Sequence, residues 1–420
     1  MSAITVAAAA AGALSATAAS AAPARPAGGS CAPSVSSQYF GSTTEPYTGK
    51  NTAVYRYTLT NCRGMSAKIL TYGGIVQEIN VPGRYGQVAD VALGFKTLQD
   101  YVTYDSPPVT ANGGPYFGES IGRYGNRIAK GTFTLNQPTG PVTYHLPINN
   151  NGNTLHGGLV GFGNHIWAAK AVKGNGYAGV QLTLVSPNGD QGFPATLKDV
   201  VTYTVNNAGQ LGIHYAATDE STNLNTVINL TNHSYFNLAG EGSPAGTAYG
   251  QLLQINANTY TPTDTTQIPL GYNASVKGTP FDFTTPHTIG SRIDDVSAPD
   301  NSPGYNQLLI AQGYDHNWVL NKKTAATTGP DGLNLAAHAW DPSSGRALTV
   351  WTDQPGVQFY SGNFLTGTLV GISGKTYRQG AGYTFETQHF PNSPNQPNFP
   401  STELKAGQTV NSTTIFAFSS

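Results

Sequence analysis

Glycine and proline interrupt this chain so often that long helices are excluded, and that punctuation sets the fold class before any other feature. The 50 glycines and 27 prolines among 420 residues fall about every five or six positions, and both residue types destabilise helix interiors. No stretch of twelve residues sustains the 3.6-residue apolar period of an amphipathic helix. What recurs instead is short runs rich in β-branched and aromatic residues, such as AVYRYTLTN (53–61), AKILTYGGIVQEINVP (67–82), GTFTLN (131–136) and PVTYHLP (141–147). Three pairs of runs are joined by turn chemistry: HIWAAKAV with YAGVQLTLV, DVVTYTV with LGIHYAAT, and LNLAAHAW with RALTVWT. These read as β-hairpins. The expected class is all-β, a large antiparallel β-sandwich of many short strands. Residues 53–420 read as one domain without a linker, with residues 295–312 as a long surface loop or insertion.

The first 23 residues are Ala-rich and uncharged and end in an Ala-x-Ala context, the pattern of a secretory signal peptide. Residues 24–52, rich in Pro, Gly and Ser, read as an irregular N-terminal arm. The expectation is therefore a secreted, extracellular protein. In an oxidising compartment Cys31 and Cys62 are candidates for one disulfide. The sequons at Asn273 and Asn411 are the better candidates for N-glycans, because those at Asn229 and Asn232 sit inside a strand-like segment. Net charge is -1 and only 10% of residues are charged, so nothing draws the chain electrostatically to nucleic acid or to an anionic membrane. No apolar run after the leader is long enough to span a bilayer.

Chemistry has to come from polar residues set into apolar strands. If NLTNHSYFNLA (229–239) is one strand, period two puts Asn229, Thr231, His233, Tyr235 and Asn237 on one face, a row suited to a polyhydroxylated ligand. His233 is then either a proton carrier near neutral pH or a satisfied structural histidine. In GYTFETQHF (382–390) Glu386 shares a face with Thr384 and Gln388, and a carboxylate there is costly to bury unless it is hydrogen-bonded. Such a Glu has a function or lies at an exposed edge. GVQFYSGNF (356–364) places Gln358 with Tyr360, GYDHNWVLN (313–321) places Asp315 with Asn317, and His156 stands beside two glycines that let backbone approach a ligand. Rival motifs fail on context. Gly118-Glu119-Ser120-Ile121-Gly122 fits the GxSxG nucleophile elbow but has no strand-then-helix setting. The nine histidines form no HxH or HExxH metal motif, and no phosphate-binding glycine loop is present. No cofactor and no metal are expected.

Eight ordered segments together resemble the aldose 1-epimerase (galactose mutarotase) family: residues 121–133, 153–158, 186–197, 229–240, 278–283, 313–318, 356–364 and 386–400. The resemblance implies a galactose mutarotase-like sandwich with its site on a concave sheet face. It implies a mutarotase that interconverts the α and β anomers of free aldohexoses such as glucose and galactose. His233 would be the general acid and Glu386 the general base. Asn126, Arg127, His156, Asp315 and Gln358 would bind the sugar, with Asp315 helping to keep His233 protonated. The alternatives are a non-catalytic carbohydrate-binding protein on the same fold and a lyase or hydrolase of longer glycans. A glycosidase needs two carboxylates flanking the bond, whereas this set pairs one Glu with a His.

Overall fold

Three antiparallel sheets hold most of the strand residues, and alternation along their strands decides which side chains enter the core. The computed structural model describes residues 31–105, 114–300, 302 and 304–420. The nine-stranded sheet contains the hairpins Ala168–Gly174/Tyr177–Ser186 and Leu197–Asn206/Gln210–Asp219. The C-terminal strand Thr409–Ser419 then links them to Ala347–Thr352 and Asn334–Trp340. All three expected hairpins are present. A six-stranded sheet runs in the order Tyr235–Phe236, Tyr383–Gln388, Gly356–Tyr360, Asp315–Leu320, Ala257–Thr261, Ala274–Ser275. A five-stranded N-terminal sheet spans Ser34 to Asp90.

The main core is shared by all three sheets, with Leu59, Ile69 and Ile79 of the five-stranded sheet in the same cluster as residues of the larger two. Trp318, Val357, Phe359, Tyr383 and Phe385 from the six-stranded sheet join Leu348, Val350 and Phe416 from the nine-stranded one. Phe359 and Phe385 have ring centroids 5.6 Å apart, and Phe236 and Phe416 5.0 Å. Each fully buried aromatic of this kind contributes about 1.5–3 kcal/mol of transfer free energy. Because neighbouring residues on a strand face opposite ways, this packing sends Asp315, Asn317, Gln358, Thr384, Glu386 and Gln388 to the other face.

Two expectations are corrected. From Ser34 onward the supposed irregular arm is ordered: Ser34–Glu45 pairs with Lys50–Thr60 as a long hairpin with a bulge between Tyr39 and Gly41. The outer strand is mostly exposed, so ladder hydrogen bonds hold it without the apolar alternation that marks a half-buried strand. Its turn is anchored by Glu45, whose Oε1 lies 2.7 Å from His165 Nδ1, and by Tyr47, whose ring stacks on His165 at 3.8 Å. Cys31 and Cys62 form a disulfide, and closing a loop of about thirty residues stabilises by about 3 kcal/mol. The compact unit accordingly begins at Ala32 rather than residue 53. The expected leader, residues 1–23, lies outside the described residues. Second, the segment 295–312 does not end as a surface loop. Gln307–Ala311 is a short helix capped by Asn306, and its buried Gln307 exchanges two 2.8 Å hydrogen bonds with the backbone of Thr263.

Candidate active site

His233 sits at a change of sheet. The segment around it is not one strand: Thr231–Asn232 pairs with Ser120–Ile121, whereas Tyr235–Phe236 pairs with Tyr383–Thr384. Between them the His233 N–H donates to the Glu119 carbonyl at 2.9 Å and its own carbonyl accepts from Gly118 N at 3.0 Å. The single polar face expected for 229–237 is therefore absent. Asn229 donates to the Gly125 carbonyl and Asn237 to that of Ala381, so both are structural. Ser120 is structural too, buried with its Oγ 3.2 Å from the Tyr215 hydroxyl.

Register across the six-stranded sheet assembles the rest of the floor. Asn317 lies opposite Gln358, and Gln358 opposite Glu386. Glu386 Oε1 accepts from Thr384 Oγ1 at 3.0 Å and stands 3.4 Å from His233 Nε2. The pairing of Arg127–Ile128 with Thr154–Leu155 sets His156 against Asn126. Asn126 N–H then donates to His156 Nδ1 at 3.2 Å. The His156 and His233 rings meet edge-on at 5.2 Å. Arg127 N–H donates to Asn126 Oδ1 at 2.8 Å and Gln358 Nε2 to Asp315 Oδ1 at 2.7 Å, which brings all seven residues expected at the site together, each of them buried. Gly157 serves a different purpose from the one expected. A Cβ there would lie 2.1 Å from the Gly122 carbonyl oxygen, so the glycine permits close packing of two backbones rather than approach of a ligand.

Burial opposes charge on both members of the central pair. Desolvation first, and then the nearby charge of Asp315, raises Glu386 to about 8, while desolvation lowers His233 to about 3. At neutral pH the pair therefore holds one proton, on Glu386, and the two side chains stand within ion-pair distance at 3.4 Å. The influence of Asp315 falls on Glu386, not on His233 as expected. Its own carboxylate is occupied on both oxygens, by Gln358 Nε2 and Gln267 Nε2, each at 2.7 Å. His156 is held well below its ordinary value by burial and then by His233 and Arg127, so it is neutral. With Nδ1 accepting from Asn126, its Nε2 carries the hydrogen and is a donor.

His156, His233 and Glu386 each offer a ligand atom within 4.8 Å of the others, the spacing of a metal site. The tautomer of His156 argues against that use, because its remaining nitrogen presents N–H rather than a lone pair. Sequence reasoning missed Gln267 and Asn150, which grip Arg127 at 2.6 and 3.1 Å. Neither lies in an alternating strand, so no periodic signal marked them.

Comparison with known proteins agrees with this geometry. Residues 55–417 match the family model described as aldose 1-epimerase. The chain is 41% identical over 355 residues to a galactose mutarotase of Mus musculus, covering 84% of this chain and 91% of that protein. It is 34% identical over 363 residues to an aldose 1-epimerase of Escherichia coli K12, covering 86% and 94%. Among solved structures, a galactose 1-epimerase from Lactobacillus acidophilus superposes with a TM-score of 0.72 at 26% identity, covering 92% of this chain and 99% of that one. A family match over most of the chain, on a sandwich whose polar face brings a buried Glu against a buried His, has one meaning: the chain belongs to the aldose 1-epimerase family.

Proposed function

We propose that the protein interconverts the α and β anomers of free aldohexoses, glucose and galactose among them, with Glu386 as base and His233 as acid. The observation that carries this reading is the 3.4 Å contact between two buried groups that hold one proton between them. In the ion-pair form the Glu386 carboxylate takes the proton of the anomeric hydroxyl. The bond from the anomeric carbon to the ring oxygen breaks, the carbonyl forms, and the His233 imidazolium protonates the ring oxygen. Ring opening thus discharges both groups, leaving the neutral pair that burial favours. The new aldehyde turns about its bond to the neighbouring carbon, and closure on its other face reverses both transfers. Arg127 and His156 donate to sugar oxygens where charge develops, and Asn126, Asp315 and Gln358 hold hydroxyls.

Polarimetry tests the reading directly. Added to freshly dissolved α-glucose or α-galactose, the protein speeds relaxation to the equilibrium rotation, and a rate no faster than buffer's would leave only a sugar-binding protein. The pH dependence follows from the pair. Chemistry needs one proton on it, so kcat/KM is flat across neutral pH, falls about tenfold per unit above about 8 as Glu386 loses that proton, and falls again below about 3. A profile that keeps rising through pH 9 would remove Glu386 from the role.

Export is proposed with it. Asn273 and Asn411 are exposed, as N-glycan carriers must be, and the disulfide suits an oxidising compartment. Mass analysis of the chain recovered from culture medium checks this, with the mature N-terminus expected near residues 22–24. An intracellular chain beginning at its first residue would refute it.

A further inference from the structure

Arg127 and Asp315 are buried, opposite in charge and on different elements, yet no ion pair joins them among the described residues. One amide stands between. Gln267 accepts from Arg127 Nη2 at 2.6 Å through Oε1 and donates to Asp315 Oδ2 at 2.7 Å through Nε2. We propose that Gln267 is a positioning residue for the epimerase site: a neutral spacer that fixes Arg127 and Asp315 against the sugar and prevents them from neutralising each other. The inference rests on the sugar-site reading above and goes beyond it in naming a residue outside the acid–base pair.

Three observations carry it. Gln267 is itself buried, 6% exposed, so its amide is committed to these contacts rather than to water. Its backbone is in the left-handed region at φ 63°, as are those of Asn126 at 63° and His156 at 50°, both at the same site. Such a conformation costs a non-glycine residue of order 1 kcal/mol and persists only where the surroundings impose it. Here Asp264 imposes it, accepting from the backbone N–H of Thr266 and Ile268 through Oδ1 and from that of Gln267 through its carbonyl. Finally, the other grips on the two charges leave no substitute. Arg127 has Asn150 on Nε at 3.1 Å, and Asp315 has Gln358 on Oδ1 at 2.7 Å. Without the amide, Arg127 Nη2 and Asp315 Oδ2 are buried with no partner, and the two side chains turn towards each other and away from the sugar.

Only a group that accepts on one side and donates on the other meets both demands. A protonated carboxyl does so, and an ionised one does not. Gln267→Leu therefore raises KM for galactose about tenfold with kcat within about threefold, since it loosens binding rather than proton transfer. Gln267→Glu has wild-type KM at any pH where the introduced carboxyl keeps a proton for Asp315. Its KM rises about tenfold once that proton is lost and the two carboxylates repel, while wild-type KM stays level. Kd for galactose, measured by calorimetry on the same three proteins, follows KM. A Gln267→Leu protein with wild-type KM and Kd overturns the proposal, as does a Gln267→Glu protein whose KM stays at the wild-type value after the introduced carboxyl has ionised. A wild type that binds galactose without accelerating mutarotation overturns the epimerase reading instead, and Kd then judges Gln267 by itself.

Discussion

Replacing Glu386 by Gln slows catalysed mutarotation by about 10²- to 10⁴-fold, the span a positioned base supplies, and makes the folded protein more stable at the same time. The amide is isosteric and still accepts from Thr384 Oγ1, which holds Oε1 at 3.0 Å. What it cannot do is take the anomeric proton. The stability effect follows from linkage. Glu386 is raised from 4.5 to about 8, so between those values the folded chain binds a proton that the unfolded chain has released. Wild-type stability therefore falls as pH rises through that window, by at most about 1.4 kcal/mol per unit. Glu386→Gln has no such slope. Its thermal midpoint exceeds that of wild type at pH 8, and the gap closes towards pH 4. Calorimetric scans at the two pH values with matched polarimetry read both effects, and a variant of normal rate, or one less stable at pH 8, contradicts the assignment.

Substituting Asn for His233 gives a loss of the same order, about 10²- to 10⁴-fold, for want of an acid at the ring oxygen. The imidazole also packs edge-on or tilted against His156 and Tyr235, each at 5.2 Å between centroids, so this variant loses some stability where the other gains it. The two residues act as one unit, and the double variant is no slower than the poorer single variant. If the losses multiplied, His233 and Glu386 would be serving separate steps. A single-turnover measurement with enzyme in excess over fresh α-galactose and well above Kd separates these outcomes without interference from substrate affinity.

The two segments that carry this pair are unequally legible in the sequence. Period two puts Gln358 with Tyr360, and Thr384 with Glu386, on common faces, and the structure agrees because Gly356–Tyr360 and Tyr383–Gln388 are each paired on both sides, which locks that period. The stretch 229–239 has the same alternation but changes partner between Asn232 and Tyr235. Alternation says which residues share a face only while the neighbour stays the same. The outer strand of the N-terminal hairpin gives no signal for the opposite reason: being mostly exposed, it carries no apolar pattern to detect. That His233 and Glu386 meet across about 150 residues came from resemblance, since no local signal encodes a long-range contact. Gln267 was invisible even to that, because its role rests on a turn that Asp264 folds and on two charges brought from elsewhere in the chain.

One feature of the fold limits how such a protein can change. Along Gly356–Tyr360 and Tyr383–Gln388, every residue that faces the sugar lies one peptide unit from a residue that holds the two large sheets together, Gln358 beside Phe359 and Glu386 beside Phe385. A substitution that shifts either strand to suit a different sugar disturbs the packing behind it, so these strands have little freedom to drift. Asn150 and Gln267 themselves aside, the turns that carry them bear no such double duty. New sugar preferences, whether natural or selected in the laboratory, are expected to accumulate in those turns while the two strands stay as they are.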